Sequence, residues 1–287
     1  MKSGLIVALM FCSSLLLAQG FEAGLMVGAS NYLGDLSSNS SKIYLQDSHL
    51  SGGVFGRLNL GAMFSLKLGF NYGRISGTDQ NATNPAIRER NLDFRTNIYE
   101  GALTAEWNIL GYDPYNYYRT FSPYLFAGVA VYNFDPRTTY QGATVALQPL
   151  GTEGQGILGF EAPYQLTQIA IPVGVGFKFA LNDLWNVGLE FGIRKTFTDY
   201  LDDVSTSYPD YIELLNSNGE LAANLSTRTW EFYDTEPGFL VPETSRGDDD
   251  PTDWYFILGL TVSYNFSDTG LVGSRSNNRR RTNCTTF

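Results

Sequence analysis

The chain has 287 residues, 43% hydrophobic and 14% aromatic, with only 17% charged. After residue 17 no apolar run is long enough to cross a bilayer as a helix, which excludes a polytopic helical membrane protein. A net charge of −10 argues against non-specific nucleic-acid binding, and a single histidine, His49, leaves little material for a His-ligated metal or a Ser-His-Asp triad.

Residues 1–20 read as a secretory signal peptide. Lys2 precedes an apolar stretch, Gly4 to Leu17, which ends at Ala18-Gln19-Gly20. Cys12 departs with it, and bulky Phe11 precedes that cysteine where a lipidation signal wants a small residue. The mature chain then keeps one thiol, Cys284. An odd cysteine in an exported protein has two readings: an intermolecular disulfide, or an inert free thiol.

From residue 21 the dominant signal has period two. Phe21–Ser30 and Gly52–Leu60 are weaker copies; between them lies a long connection, 31–51, that carries Asp47-Ser48-His49. After the short Gly61-Ala62 turn, Phe64, Leu66, Leu68, Phe70 and Tyr72 alternate with small or polar residues. A long connection over 74–91 leads to Ile98–Ile109; a short one, Gly111–Thr120, leads to Pro123–Asn133. Another long connection, 134–163, precedes a row of Ile169, Ile171, Val173, Val175, Phe177 and Phe179. The short Leu181–Leu184 turn introduces Trp185, Val187, Leu189, Phe191 and Ile193. The longest connection, 198–252, precedes the last row, Trp254 to Phe266.

Eight such segments predict an all-β fold, an eight-stranded antiparallel transmembrane outer-membrane β-barrel over residues 21–266. The second face of each segment decides against a water-soluble sandwich. It is glycine-rich, with isolated charges of both signs: Glu22, Arg57, Lys67, Glu100, Glu106, Lys178, Glu190 and Arg194. Small residues and pairable charges suit the narrow lumen of eight strands. The large apolar rows would face lipid, with Trp107, Trp185, Trp254 and Phe266 at segment ends as girdles. Short turns at one end and four long loops at the other place the loops outside and both termini in the periplasm. Residues 267–287 then form a polar periplasmic tail that carries Arg279, Arg280, Arg281 and Cys284.

Several features invite chemistry. The lumen charges are either a packed network that plugs the barrel or an ion path. Asp47-Ser48-His49 are too close in sequence to form a triad and lack a G-x-S-x-G partner motif. Asp202-Asp203 and Asp248-Asp249-Asp250 offer carboxylates to Ca²⁺ but lack the spacing of an EF-hand and read as solvated acidic loop; Tyr208, Tyr211, Asn216, Asn218 and Asn224 are either surface-binding residues or plain exposed polar loop. The reading assigns no catalytic residue, metal ligand or cofactor. Arg279, Arg280 and Arg281 are candidate contacts to anionic headgroups or an acidic partner surface, or a disordered tail.

Six stretches carry a resemblance. They are Gly28-Ala-Ser-Asn-Tyr-Leu-Gly-Asp-Leu36, Arg90-Asn-Leu-Asp-Phe-Arg-Thr-Asn-Ile-Tyr-Glu100, residues 123–136, Leu147-Gln-Pro-Leu-Gly-Thr-Glu-Gly-Gln155, residues 166–172 and residues 194–204. Together they resemble the PorG family, the outer-membrane barrel of the Bacteroidota type IX secretion and gliding machinery. Within 205–252 little matches. The resemblance implies a non-enzymatic barrel subunit that anchors a periplasmic ring of the lipoprotein PorK and its partner PorN. It also implies a disulfide to PorK, which maps here to Cys284. Outer-membrane lipids are the other expected partner, and nucleic acid is not one. The alternatives are a small outer-membrane channel, a surface-binding barrel, and an outer-membrane enzyme using His49 or the loop carboxylates.

Overall fold

The computed structural model describes residues 20–37, 47–240, 245–247 and 252–266. The expected signal peptide, save Gly20, and the whole 267–287 tail with Arg279, Arg280, Arg281 and Cys284 lie outside the described residues, as does Asp248-Asp249-Asp250.

Among the described residues ten strands form in chain order: β1 (Gly20–Leu33), β2 (His49–Asn59), β3 (Phe64–Thr78), β4 (Asp93–Asn108), β5 (Phe121–Asn133), β6 (Arg137–Tyr140), β7 (Ala143–Ala146), β8 (Thr167–Ala180), β9 (Trp185–Thr196) and β10 (Trp254–Phe266). Eight of them close a barrel. Antiparallel ladders run β1–β2, β2–β3, β3–β4, β4–β5, β5–β8, β8–β9 and β9–β10, and β1–β10 seals the ring from Phe21↔Phe266 to Leu33↔Trp254. Closure leaves none of these eight strands with an unpaired edge. β1 takes in Gly20, opposite Asn59, one residue before the expected signal-peptide boundary.

Period-two patterning explains the wall. Along β4 the residues alternate between buried Ile98, Glu100, Ala102, Thr104 and Glu106 and outward Tyr99, Leu103 and Trp107. Outward Leu25, Val54, Phe70, Leu103, Val129, Ile169, Phe177 and Leu260 leave large apolar side chains open around the circumference, the inverse of a water-soluble protein. Pro172 marks the one gap in the β5–β8 ladder: Gly128 and Val129 go unpaired opposite it, because proline has no N–H to donate.

All eight expected barrel strands are present, and several run further at the long-loop end: β1 reaches Leu33 rather than Ser30, β2 starts at His49 rather than Gly52, β3 runs on to Thr78, and β4 begins at Asp93 rather than Ile98. β3 and β4 thereby rise beyond the apolar band. The long connections also carry structure. Residues 134–163 hold the β6–β7 hairpin, whose two-residue turn places Gln141 (φ 48°) and Gly142 (φ 79°) in the left-handed region that such a turn requires. Short helices α1 (Pro85–Arg90), α2 (Tyr211–Ser217), α3 (Glu220–Ser226) and α4 (Thr229–Tyr233) fold over the same end. No helix among the described residues is long and apolar enough to cross a membrane.

Candidate functional site

Three layers carry polar chemistry: the lumen, a cap over the long-loop end, and the outer rim. All eight lumen charges named from the sequence are buried and paired, four acids with four bases. Arg57 lies between two carboxylates, its Nη1 donating to Glu22 Oε2 at 2.9 Å and its Nε 2.9 Å from Glu106 Oε2. Glu106 also accepts from Lys178, which donates to Asn108 Oδ1 at 3.0 Å as well. Glu22 takes two further bonds, from Asn59 Nδ2 at 2.6 Å and Ser263 Oγ at 2.9 Å.

A second group lies around Glu190, which accepts from Lys67 at 2.5 Å and from the Tyr124 hydroxyl at 2.8 Å. The third lies around Glu100, with Arg194 Nε at 2.9 Å, Tyr255 OH at 2.7 Å and Asn71 Nδ2 at 2.6 Å. Aromatic rings fill the space between. Lys178 Nζ lies 4.5 Å from the Tyr124 ring centre, and Lys67 Nζ lies 5.0 Å from that of Phe55. A buried charge needs a partner and hydrogen bonds, and each of these has them. The arrangement is a packed, internally neutral core, with Glu22, Glu106 and Arg57 at most 3% exposed.

The cap corrects the reading of Asp202-Asp203 as solvated. Both are buried, because the loop that carries them folds down onto the barrel mouth. Asp202 Oδ2 accepts from the Tyr32 hydroxyl at 2.5 Å and from Leu36 N at 3.1 Å; the same hydroxyl lies 3.1 Å from Asp253 Oδ1. Asp203 accepts from Thr152 Oγ1 at 2.5 Å and from Tyr164 OH at 2.6 Å. Burial pushes the Asp203 carboxyl up to about 6 although Arg246 opposes the shift. Burial raises Asp202 and Asp253 as well; for Asp253 the neighbouring carboxylates of Asp202, Asp199 and Asp35 add to it.

Arg246 holds the cap together. Fully buried, it donates Nη1 to Glu153 Oε1 at 2.6 Å and Nε to the carbonyl of Ser226 at 3.2 Å, and its Nη2 lies 3.5 Å from Asp203 Oδ2. Its own carbonyl accepts from Arg90 Nη1, and Arg90 forms a two-toothed pair with Asp79 at 2.7 and 2.8 Å. Neither arginine was singled out from the sequence. Of the loop residues read as exposed, Asn224 is buried and Asn218 donates to the carbonyls of Leu150 and Gly151, whereas Asn216 is exposed.

Within Asp47-Ser48-His49, the Asp47 carboxylate bears on the His49 ring, but Ser48 is engaged elsewhere. His49 Nε2 lies 2.7 Å from Ser76 Oγ, and Ser48 Oγ accepts from Asn31 Nδ2. No group of three or more His, Cys, Asp or Glu among the described residues is arranged to hold a metal ion.

Several solved structures are similar at low identity. The Ail attachment invasion locus protein of Yersinia pestis matches with a TM-score of 0.39 and 10% identity, over 86% of this chain and 100% of that one. Neisserial surface protein A matches with 0.41 and 11%, over 87% and 99%. OprG from Pseudomonas aeruginosa matches with 0.37 and 10%, over 87% and 97%. No curated protein matches the chain. The model of the family described as a domain of unknown function, DUF6089, matches residues 2–233, and the chain belongs to that family.

Proposed function

We propose that the protein is a non-enzymatic outer-membrane barrel subunit that anchors a periplasmic assembly, the PorK/PorN ring of the type IX secretion machinery. The observation that carries the anchoring part is the lumen. A barrel whose interior is packed with eight paired charges and several aromatic rings is suited to holding its place, and its apolar exterior resists extraction at about 25 cal/mol per Å² of apolar area exposed to water. That is the property of an anchor rather than a pore. The ring and its disulfide rest on the resemblance of residues 24–204 to the PorG family and on Cys284 as the one cysteine left after signal cleavage. Gly20 and Phe266, the first and last residues of the closing strands, lie at the short-turn end of the barrel, opposite the cap. A covalent link through Cys284 would convert later contacts with the same partner into intramolecular ones.

The test is a non-reducing gel of native outer membranes from wild type and Cys284→Ser. The proposal expects a larger species that collapses with reductant and is lost in the variant, with a PorK-like lipoprotein in the band by mass spectrometry. A wild type that runs only as monomer with a free thiol overturns the tether. Conductance steps in planar bilayers would favour the channel alternative. One observation favours a surface-binding role beside the anchor: the long loops present Leu158 at 99% and Phe239 at 77% exposure.

A further inference from the structure

Three arginines meet on the outer wall. Arg74 of β3, Arg95 of β4 and Arg137 of β6 line one cleft of about 530 Å³ together with Asn97, Asn133 and Thr144. The β-ladder places them there. Asn97 pairs with Arg74, so Arg95 is the diagonal neighbour of Arg74 on the same face, and Arg95 directly faces Arg137 across the β4–β6 pair. Like charges directly opposite on antiparallel strands repel, and the fold puts them there nonetheless. Asp135 offsets one charge, through Arg137 Nε at 2.7 Å. Among the described residues Arg95 Nη2 donates to the neutral Thr144 hydroxyl, and Arg74 makes no side-chain hydrogen bond or ion pair, its charge bearing only on the neighbouring His49 ring. A chain with ten more acids than bases thus keeps a net positive cleft on its rim.

The height of the cleft identifies what belongs in it. Directly below, Tyr72 pairs with Tyr99, rings 5.3 Å apart and both exposed on the outer wall, and the Tyr72 hydroxyl donates to Asn97 Oδ1 at 3.1 Å. Below the tyrosines the outward row continues through Phe70, Leu68 and Leu103 to Phe64 opposite Trp107. An aromatic pair at each end of an apolar band marks the two edges of the hydrocarbon layer. Arg95 stands four residues beyond Tyr99, about 10 Å higher on a tilted strand, at the level of the lipid headgroups. Guanidinium groups bind phosphate with paired, charge-assisted hydrogen bonds.

We infer that Arg74, Arg95 and Arg137 form a binding site for the phosphate of a phosphorylated outer-leaflet glycolipid, whose acyl chains lie against the apolar wall beneath Tyr72 and Tyr99. The inference rests on the outer-membrane reading above, with the long loops outside. A soluble anion would satisfy the same arginines, but the cleft opens onto the lipid-facing wall, so an occupant anchored in the bilayer is held there at high local concentration.

The test uses the full chain refolded into phosphatidylcholine vesicles, with bisphosphorylated lipid A as probe. Retained lipid A is quantified by mass spectrometry for the wild type and for the triple variants R74Q/R95Q/R137Q and R74K/R95K/R137K. About a fivefold contribution from each cation near the surface makes retention by the glutamine variant weaker by on the order of a hundredfold, with the lysine variant in between. Lipid A stripped of its phosphates should not be retained, and excess inorganic phosphate should not displace the intact lipid. Equal retention by wild type and the glutamine variant overturns the site, as does retention of the dephosphorylated lipid; displacement by inorganic phosphate overturns the lipid assignment. Heat-modifiable gel mobility reports the folding of each variant. A wild-type chain that fails to enter vesicles at all contradicts the membrane-barrel reading instead.

Discussion

Arg246 and Glu153 lie 93 residues apart in sequence and meet at 2.6 Å beneath the cap. Glu153 also receives the backbone N–H of Ser205 at 2.9 Å, so one buried carboxylate ties the loop after β7 both to the segment after β9 and to the segment before β10. The three loops depend on one another through this pair.

Arg246→Met should therefore release the cap and leave the barrel closed. Removing one partner of a buried ion pair costs about 3–5 kcal/mol. The expected result is protease cleavage within residues 198–247 in the variant and not in the wild type, with unchanged heat-modifiable mobility. Equal resistance of both would show that the pair does not hold the cap.

Glu106→Gln should act on the barrel itself. It leaves Arg57 and Lys178 buried with one carboxylate fewer between them, again at about 3–5 kcal/mol. Urea unfolding in vesicles should show a lower midpoint than the wild type. An unchanged midpoint would mean that the lumen rearranges to satisfy both cations.

The cap should tighten in acid. Asp202, Asp203 and Asp253 hold their protons to higher pH than free carboxyls do, chiefly because they are buried. The folded cap thus binds protons more tightly than the opened one, and their contribution is fully present below about pH 4. It is lost as pH rises, through about 6 for Asp203 and through the raised range of its neighbours. Hydrogen exchange at residues 200–205 should be slower at pH 5 than at pH 8 once corrected for the intrinsic rate. Tyr32→Phe, which removes the hydroxyl between Asp202 and Asp253, should alter that pH dependence. A flat profile in the wild type would refute the assignment.

A charge on the outer wall should cost according to depth. Leu103 faces outward in mid-band, so Leu103→Arg should destabilise the barrel in vesicles by about 2–4 kcal/mol, whereas Asn97→Arg at the rim should cost about 0–1. Similar penalties at both positions would argue that lipid does not cover this face.

The barrel was legible in the sequence because period-two alternation runs through the eight barrel strands, and because large apolar residues outside and small residues inside invert the usual pattern. Charges such as Glu106 and Lys178 stood out against a glycine-rich face. The cap was not legible. Its pairs link residues far apart, and Asp202-Asp203 in a long acidic loop looks solvated until the partners Tyr32, Thr152 and Tyr164 are known. The β6–β7 hairpin was missed because four-residue strands give too short an alternation, and its turn uses Gln141-Gly142 rather than an asparagine or aspartate pair. Without that hairpin nothing brings Arg137 beside Arg95.

The seam between β1 and β10 also sets the order of events during biogenesis. The strand nearest the amino end waits for the strand nearest the carboxyl end, since Phe21 pairs with Phe266. Until then both strands expose unpaired edges and apolar rows, in a topology whose closing contact spans nearly the whole ladder-forming sequence. Arg246 lies just ahead of β10, so the residue that locks the cap is delivered together with the strand that seals the ring. Until Phe266 meets Phe21, association between unfinished copies through those open edges competes with closure of the ring.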